Sequence, residues 1–219
     1  MLIRRLVAEG LGTAFLLATI VGSGIMAERL LGTSELLALL TNSMSTGAIL
    51  VVLIAIFGQI SGSHFNPAVT MAFVVRREIG LLIATAYVFA QLLGATLGTW
   101  AAHIMFQETW LQIGTQTRAG GGLWFSEVVA TFGLVITILG TMRWKSEMVP
   151  ITVGLYIGSA YWFTASTSFA NPAVTFARSF TDTFVGIQPT DAPPFIVFQL
   201  LGALLAAFFF SWMFDRHVS

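Results

Sequence analysis

Cysteine is absent from the chain, so no disulfide, thiolate nucleophile or thiolate metal site can form, and the redox state of the compartment leaves no trace in the sequence. Charge is scarce as well. Asp, Glu, Lys and Arg make up 9% of the 219 residues, ten acidic against ten basic, and the balanced total gives no sign of a nucleic acid or other polyanionic partner. Paired carboxylates, a metal-ligand cluster and a nucleophile set beside a base are also missing, so the sequence implies neither an enzyme nor a cofactor. What fills the chain instead is hydrocarbon: 56% of residues are hydrophobic, in runs that a water-soluble domain of this size would not tolerate. The expected class is an all-α membrane protein, with the lipid bilayer as its solvent.

A membrane-spanning helix needs about 20 residues at 1.5 Å each. Six segments meet this length, near residues 7–27, 36–57, 80–105, 124–142, 149–167 and 193–214. The first has the basic start of a signal peptide, but its apolar stretch is long enough to span, and it is read as a retained helix. Between the second and third segments, and again between the fifth and sixth, lies Asn-Pro-Ala followed by about ten fairly apolar residues, half a span at helical rise. Irregular backbone at membrane depth survives only where protein packs it or where it lines a wet cavity.

The chain repeats itself. SHFNPAVTMAF (63–73) is nearly rewritten as SFANPAVTFAR (168–178), FAQLLGATLG (89–98) returns as VFQLLGALLA (197–206), and Glu9 with Thr13 is echoed by Glu127 with Thr131. Residues 1–219 are therefore read as one channel domain built from repeats of about 1–110 and 120–219. Each repeat has three spans and one half-span, so the second enters from the opposite side and the two are related by a pseudo-twofold axis in the membrane plane. With both termini in the cytoplasm of a cell-membrane protein, Arg4, Arg5, Arg76, Arg77, Arg143, Lys145 and Arg216 fall inside and Arg29, Arg118 and Arg178 outside, as the positive-inside rule favours.

Asn is among the best N-caps, and Pro suits the first helical position because its missing N–H would be unpaired there anyway. Asn66, Pro67 and Ala68, and likewise Asn171, Pro172 and Ala173, should each begin a half-helix. Inversion should bring Asn66 and Asn171 together near the midplane, where two positive dipole ends and two amides repel cations and offer donors to a small neutral molecule.

In GQISGSHFNPAVT (58–70), FANPAVTFA (169–177) and the repeated Glu and Gln-Leu-Leu-Gly-Ala positions, the sequence resembles the aquaporin or major intrinsic protein family over nearly its whole length. The resemblance implies six tilted helices plus two half-helices, a homotetramer with a pore in each subunit, and passive flow of water or small uncharged solutes. It implies that Asn66 and Asn171 orient the permeating molecule, and that His64 lies on the cytoplasmic side of the pore. Glu9 and Glu127 would accept hydrogen bonds from the looped backbone beside each half-helix, in preference to relaying protons. Gln91 and Gln199 read as interhelical hydrogen bonders, and Gly94, Gly98 and Gly202 permit close helix contact.

The chain departs from the family at the outer filter. The arginine that usually follows the second Asn-Pro-Ala is replaced by Val174, and the family's spacing puts the other filter positions at Thr46, Ser159 and Ser168, with Phe169 beside the last. Four neutral side chains of small or medium size imply a wide mouth. Arg178, one turn beyond Val174, could lean toward the lumen, but a surface pair with Asp182 is the preferred reading. The expected function is a passive aquaglyceroporin-like channel for glycerol-like polyols and water. Family members lacking this arginine extend the cargo to arsenite or small organoarsenicals. An ion-coupled secondary transporter is the alternative, although Glu9, Glu127 and His64 are almost the only titratable groups along its path.

Overall fold

The computed structural model describes residues 2–31 and 34–214; Arg216, counted above among the inner charges, lies outside them. The described residues form eight α-helices: α1 (Leu2–Leu31), α2 (Glu35–Ser61), α3 (Pro67–Val75), α4 (Leu81–Met105), α5 (Gly121–Lys145), α6 (Val149–Phe163), α7 (Pro172–Arg178) and α8 (Ala192–Phe214). Five stretches are long and apolar enough to cross a bilayer. One of them, 121–163, holds two helices, because the chain leaves α5 through a 3-10 turn at Ser146–Met148 and enters α6 with Pro150 in its first turn. The six expected long elements are therefore present. The fifth is shorter than expected, since helix stops at Phe163 and residues 164–167 form a turn.

Helices α1 and α4 pack along each other, as do α5 and α8, and α2 and α6 add to the first and second pair respectively. Across the middle, α3 lies on α8 and α7 on α4, while α2 meets α6. Every helix contact in α1–α4 thus has a counterpart in α5–α8. Close approach depends on glycine. A Cβ at Gly94 or Gly98 of α4 would collide with the carbonyls of Gly10 and Ala14 on α1, so the two backbones touch where larger residues would hold them apart.

Large apolar side chains such as Phe15, Phe89, Phe125, Leu155 and Phe208 point outward and are more than half exposed, an arrangement suited to lipid. The polar groups turn inward: Glu9, Glu127, Gln91, Gln199, Thr70 and Thr175 are buried almost completely.

Candidate functional site

Both Asn-Pro-Ala stretches do what capping chemistry requires. Asn66 sits in extended conformation before α3, and its Oδ1 accepts from the N–H groups of Ala68 at 2.8 Å and Val69 at 3.4 Å. Asn171 caps α7 in the same way, accepting from Ala173 at 2.9 Å and Val174 at 3.3 Å. The remaining half of each amide crosses to the other repeat. Asn66 Nδ2 donates to the Ala170 carbonyl at 2.7 Å, and Asn171 Nδ2 to the Phe65 carbonyl at 2.8 Å. Each asparagine therefore caps the start of one half-helix and anchors the loop leading into the other.

Those loops turn through left-handed residues. Ser63 and Phe65 have φ of 51° and 48°, and Ser168 and Ala170 have 51° and 47°, so successive peptide N–H groups converge on one point. A buried carboxylate fills each point. Glu9 accepts from the N–H groups of His64 and Phe65, from Ser61 Oγ and from Gln91 Nε2. Glu127 accepts from Phe169 N–H at 3.0 Å, Ala170 N–H at 2.8 Å and Gln199 Nε2 at 2.6 Å. Gln91 and Gln199 also donate to Thr70 and Thr175, whose hydroxyls in turn donate to the Asn66 and Asn171 carbonyls. With its oxygens committed to fixed donors, each glutamate clamps backbone.

A cavity of about 120 Å³ passes between the two asparagines, room for several waters. One wall is apolar, with Leu16, Leu50, Leu134 and Ile157 among its residues, while Asn66, Asn171, His64, Ser63, Ser168 and Thr46 give it polar points. The Ser63 and Ser168 hydroxyls find no hydrogen-bond partner among the described residues. His64 lies at the end marked by Arg5 and Glu78, its ring 4.6 Å from that of Phe73 and its Nδ1 3.0 Å from Thr70 Oγ1. Phe169 and Val174 line the opposite end.

Two expected features of that end are corrected. Ser159 is exposed on α6 and does not line the cavity, whereas Tyr161 does, its hydroxyl 3.1 Å from Thr46 Oγ1. Arg178 does not pair with Asp182 at the surface. It is 2% exposed, lines the cavity, donates through Nε to the Val185 carbonyl and stacks 3.4 Å from the centre of the Phe169 ring. Asp182 instead accepts from the N–H and hydroxyl of Thr115. The cause is the segment after α7, which folds back so that Val185 presents its carbonyl to the guanidinium. The loop residue Arg118 completes the cluster: it lies 5.1 Å from the same ring and donates to the carbonyls of Gly186 and Phe184. Burial lowers the Arg118 pKa from its ordinary value.

The profile of the major intrinsic protein family matches residues 1–170. The chain belongs to that family. Major intrinsic proteins are multi-pass membrane channels, not enzymes. This one is 53% identical to aquaglyceroporin AqpS of Rhizobium meliloti (strain 1021) over 97% of its own length and 91% of that relative. It is 33% identical to nodulin-26 of Glycine max over 72% of this chain and 57% of that protein. Its fold matches the X-ray structure of the aquaglyceroporin from Plasmodium falciparum with a TM-score of 0.77, covering 97% of each chain at 22% identity. Sequence reasoning missed Tyr161 and Arg118 in this major intrinsic protein. Tyr161 faces the cavity while Ser159, two residues earlier on the same helix, points away, a rotation of α6 that counting back from the motif could not reveal. Arg118 carried the signal of a lone cation in an otherwise weakly charged loop.

Proposed function

We propose that this chain is a passive channel for small uncharged solutes of the glycerol-like polyol class and for water, with the cavity between Asn66 and Asn171 as its lumen. The carrying observation is the reciprocal pair of amide bridges, Asn66 to Ala170 and Asn171 to Phe65, which holds two helix N-termini against one point of a polar-spotted, otherwise apolar cavity. Facing dipole ends repel cations, and amide and hydroxyl groups replace the hydration of a neutral hydroxyl compound. The matching contacts of α1–α4 and α5–α8 support the inverted repeats, and the clamped Glu9 and Glu127 support a structural role over a proton relay.

Thr46, Tyr161, Ser168, Val174 and Arg178 form the outer filter in this reading, and His64 belongs to the inner mouth. Arsenite as the neutral trihydroxide, and small organoarsenicals, extend the substrate class. A homotetramer in the cell membrane with both termini in the cytoplasm completes the proposal; Arg5 lines the hollow at the His64 end, and Arg76 pairs with Glu78 of the same hollow. The test is swelling of proteoliposomes under matched water, glycerol and arsenite gradients. Glycerol flux well above that of empty vesicles is expected, and flux that requires a proton or sodium gradient would support the ion-coupled transporter instead.

A further inference from the structure

Buried cations in a membrane protein ordinarily face carboxylates. At the outer end of this cavity they do not. Among the described residues the ion pairs are Arg29–Glu108 and Arg76–Glu78, and neither Arg118 nor Arg178 takes part in one. Both guanidiniums attend the same Phe169 ring. The nearest buried carboxylate, Glu127, is committed to two backbone N–H groups and Gln199. Glu35 reaches the rim of the same outer hollow but is exposed and pairs with neither arginine. Asp191 lies beside the cluster, but its Oδ2 accepts from the backbone N–H of Arg118 at 2.8 Å and it forms no ion pair with either guanidinium.

A guanidinium carries five N–H donors in a planar fork. Arg178 uses Nε–H on the Val185 carbonyl, and its Nη1 and Nη2 groups have no acceptor among the described residues although the residue is 2% exposed and lines the cavity. Arg118 uses Nε on Gly186 and Nη2 on Phe184, leaving Nη1 without an acceptor among the described residues. Carbonyls and the Phe169 ring hold both groups in place, so little side-chain freedom remains to be lost when a ligand arrives. Two parallel N–H groups match two oxygens on one centre, a geometry that a lone halide cannot use.

We propose that the Arg178–Arg118 cluster makes the outer end of the cavity a binding site for a small monovalent oxyanion or carboxylate, which enters in competition with neutral solutes. The proposal rests on reading this cavity as the lumen, and two independent measurements separate the claims. Purified protein in detergent is melted in sodium nitrate and in sodium chloride at equal ionic strength. Nitrate should raise the melting temperature above chloride by binding the folded state, and the difference should vanish in Arg178→Gln. Arg178→Lys, which keeps the charge but loses the fork, should retain only part of it. In proteoliposomes, external nitrate should slow glycerol entry relative to chloride in the native protein and not in Arg178→Gln, each variant compared with itself. Equal melting temperatures in the two salts for the native protein, or an equal nitrate effect in native and Arg178→Gln protein, would overturn the site. A nitrate-specific melting shift without any glycerol flux would leave the site standing and defeat the glycerol channel.

Discussion

Val174 and Arg178 lie one helical turn apart on α7, both buried against the same cavity, and in the proposed reading their side chains set what the outer end admits. Val174→Arg would add a guanidinium to a space already holding that of Arg178, narrowing the lumen and deepening its positive potential. Glycerol permeability should fall far more than water permeability, because a constriction excludes by diameter before it slows single-file water. Stopped-flow light scattering on vesicles of equal protein density measures both, and an unchanged ratio would remove Val174 from the filter. Asn171 has a different weight. Asn171→Ala removes the acceptor of Ala173 and Val174 and the bridge to Phe65, and loss of a helix N-cap alone costs about 0.5–2 kcal/mol. A lower melting temperature is expected, with a smaller loss for Asn171→Asp, which keeps the cap but not the donor.

Among the elements, α1 and α4 depend most on a single residue type. Gly98→Leu would drive a branched side chain into the Ala14 carbonyl, and overpacking of a close contact typically costs about 1–3 kcal/mol. Thermal unfolding in detergent should report that loss, while the same substitution at Gly58, where a Cβ meets open space, should change little. Much of this level was readable in advance. Helix length follows from the bilayer, and the half-helices follow from Asn and Pro at positions where each has one favoured use, so α3 and α7 begin where their motifs predicted. The outer end was less readable, because loop geometry decides it. Arg178 turns inward because Val185 returns to meet it, and Tyr161 replaces Ser159 because residues two apart on α6 point to nearly opposite faces and packing turns the Tyr161 face to the cavity. The first contact depends on the turn of the loop after α7 and the second joins residues 115 apart, and a count of positions along the chain carries no information about either.

At the scale of the whole molecule, an apolar exterior and a polar-spotted interior leave the chain one stable solvent, the bilayer, and one route for a hydrophilic solute, the middle. The absence of cysteine gives a direct expectation: mercurials should not block conduction by thiol modification, and rapid inhibition by a thiol-selective reagent would contradict it. The central claim is that solutes pass down their own gradients between Asn66 and Asn171 without coupling to an ion. Stopped-flow glycerol uptake into proteoliposomes, measured over a wide concentration range with and without imposed proton and sodium gradients, tests it most directly. A flux that rises in proportion to the glycerol gradient and ignores both ion gradients is the predicted result. A flux that saturates and follows either ion gradient would contradict it.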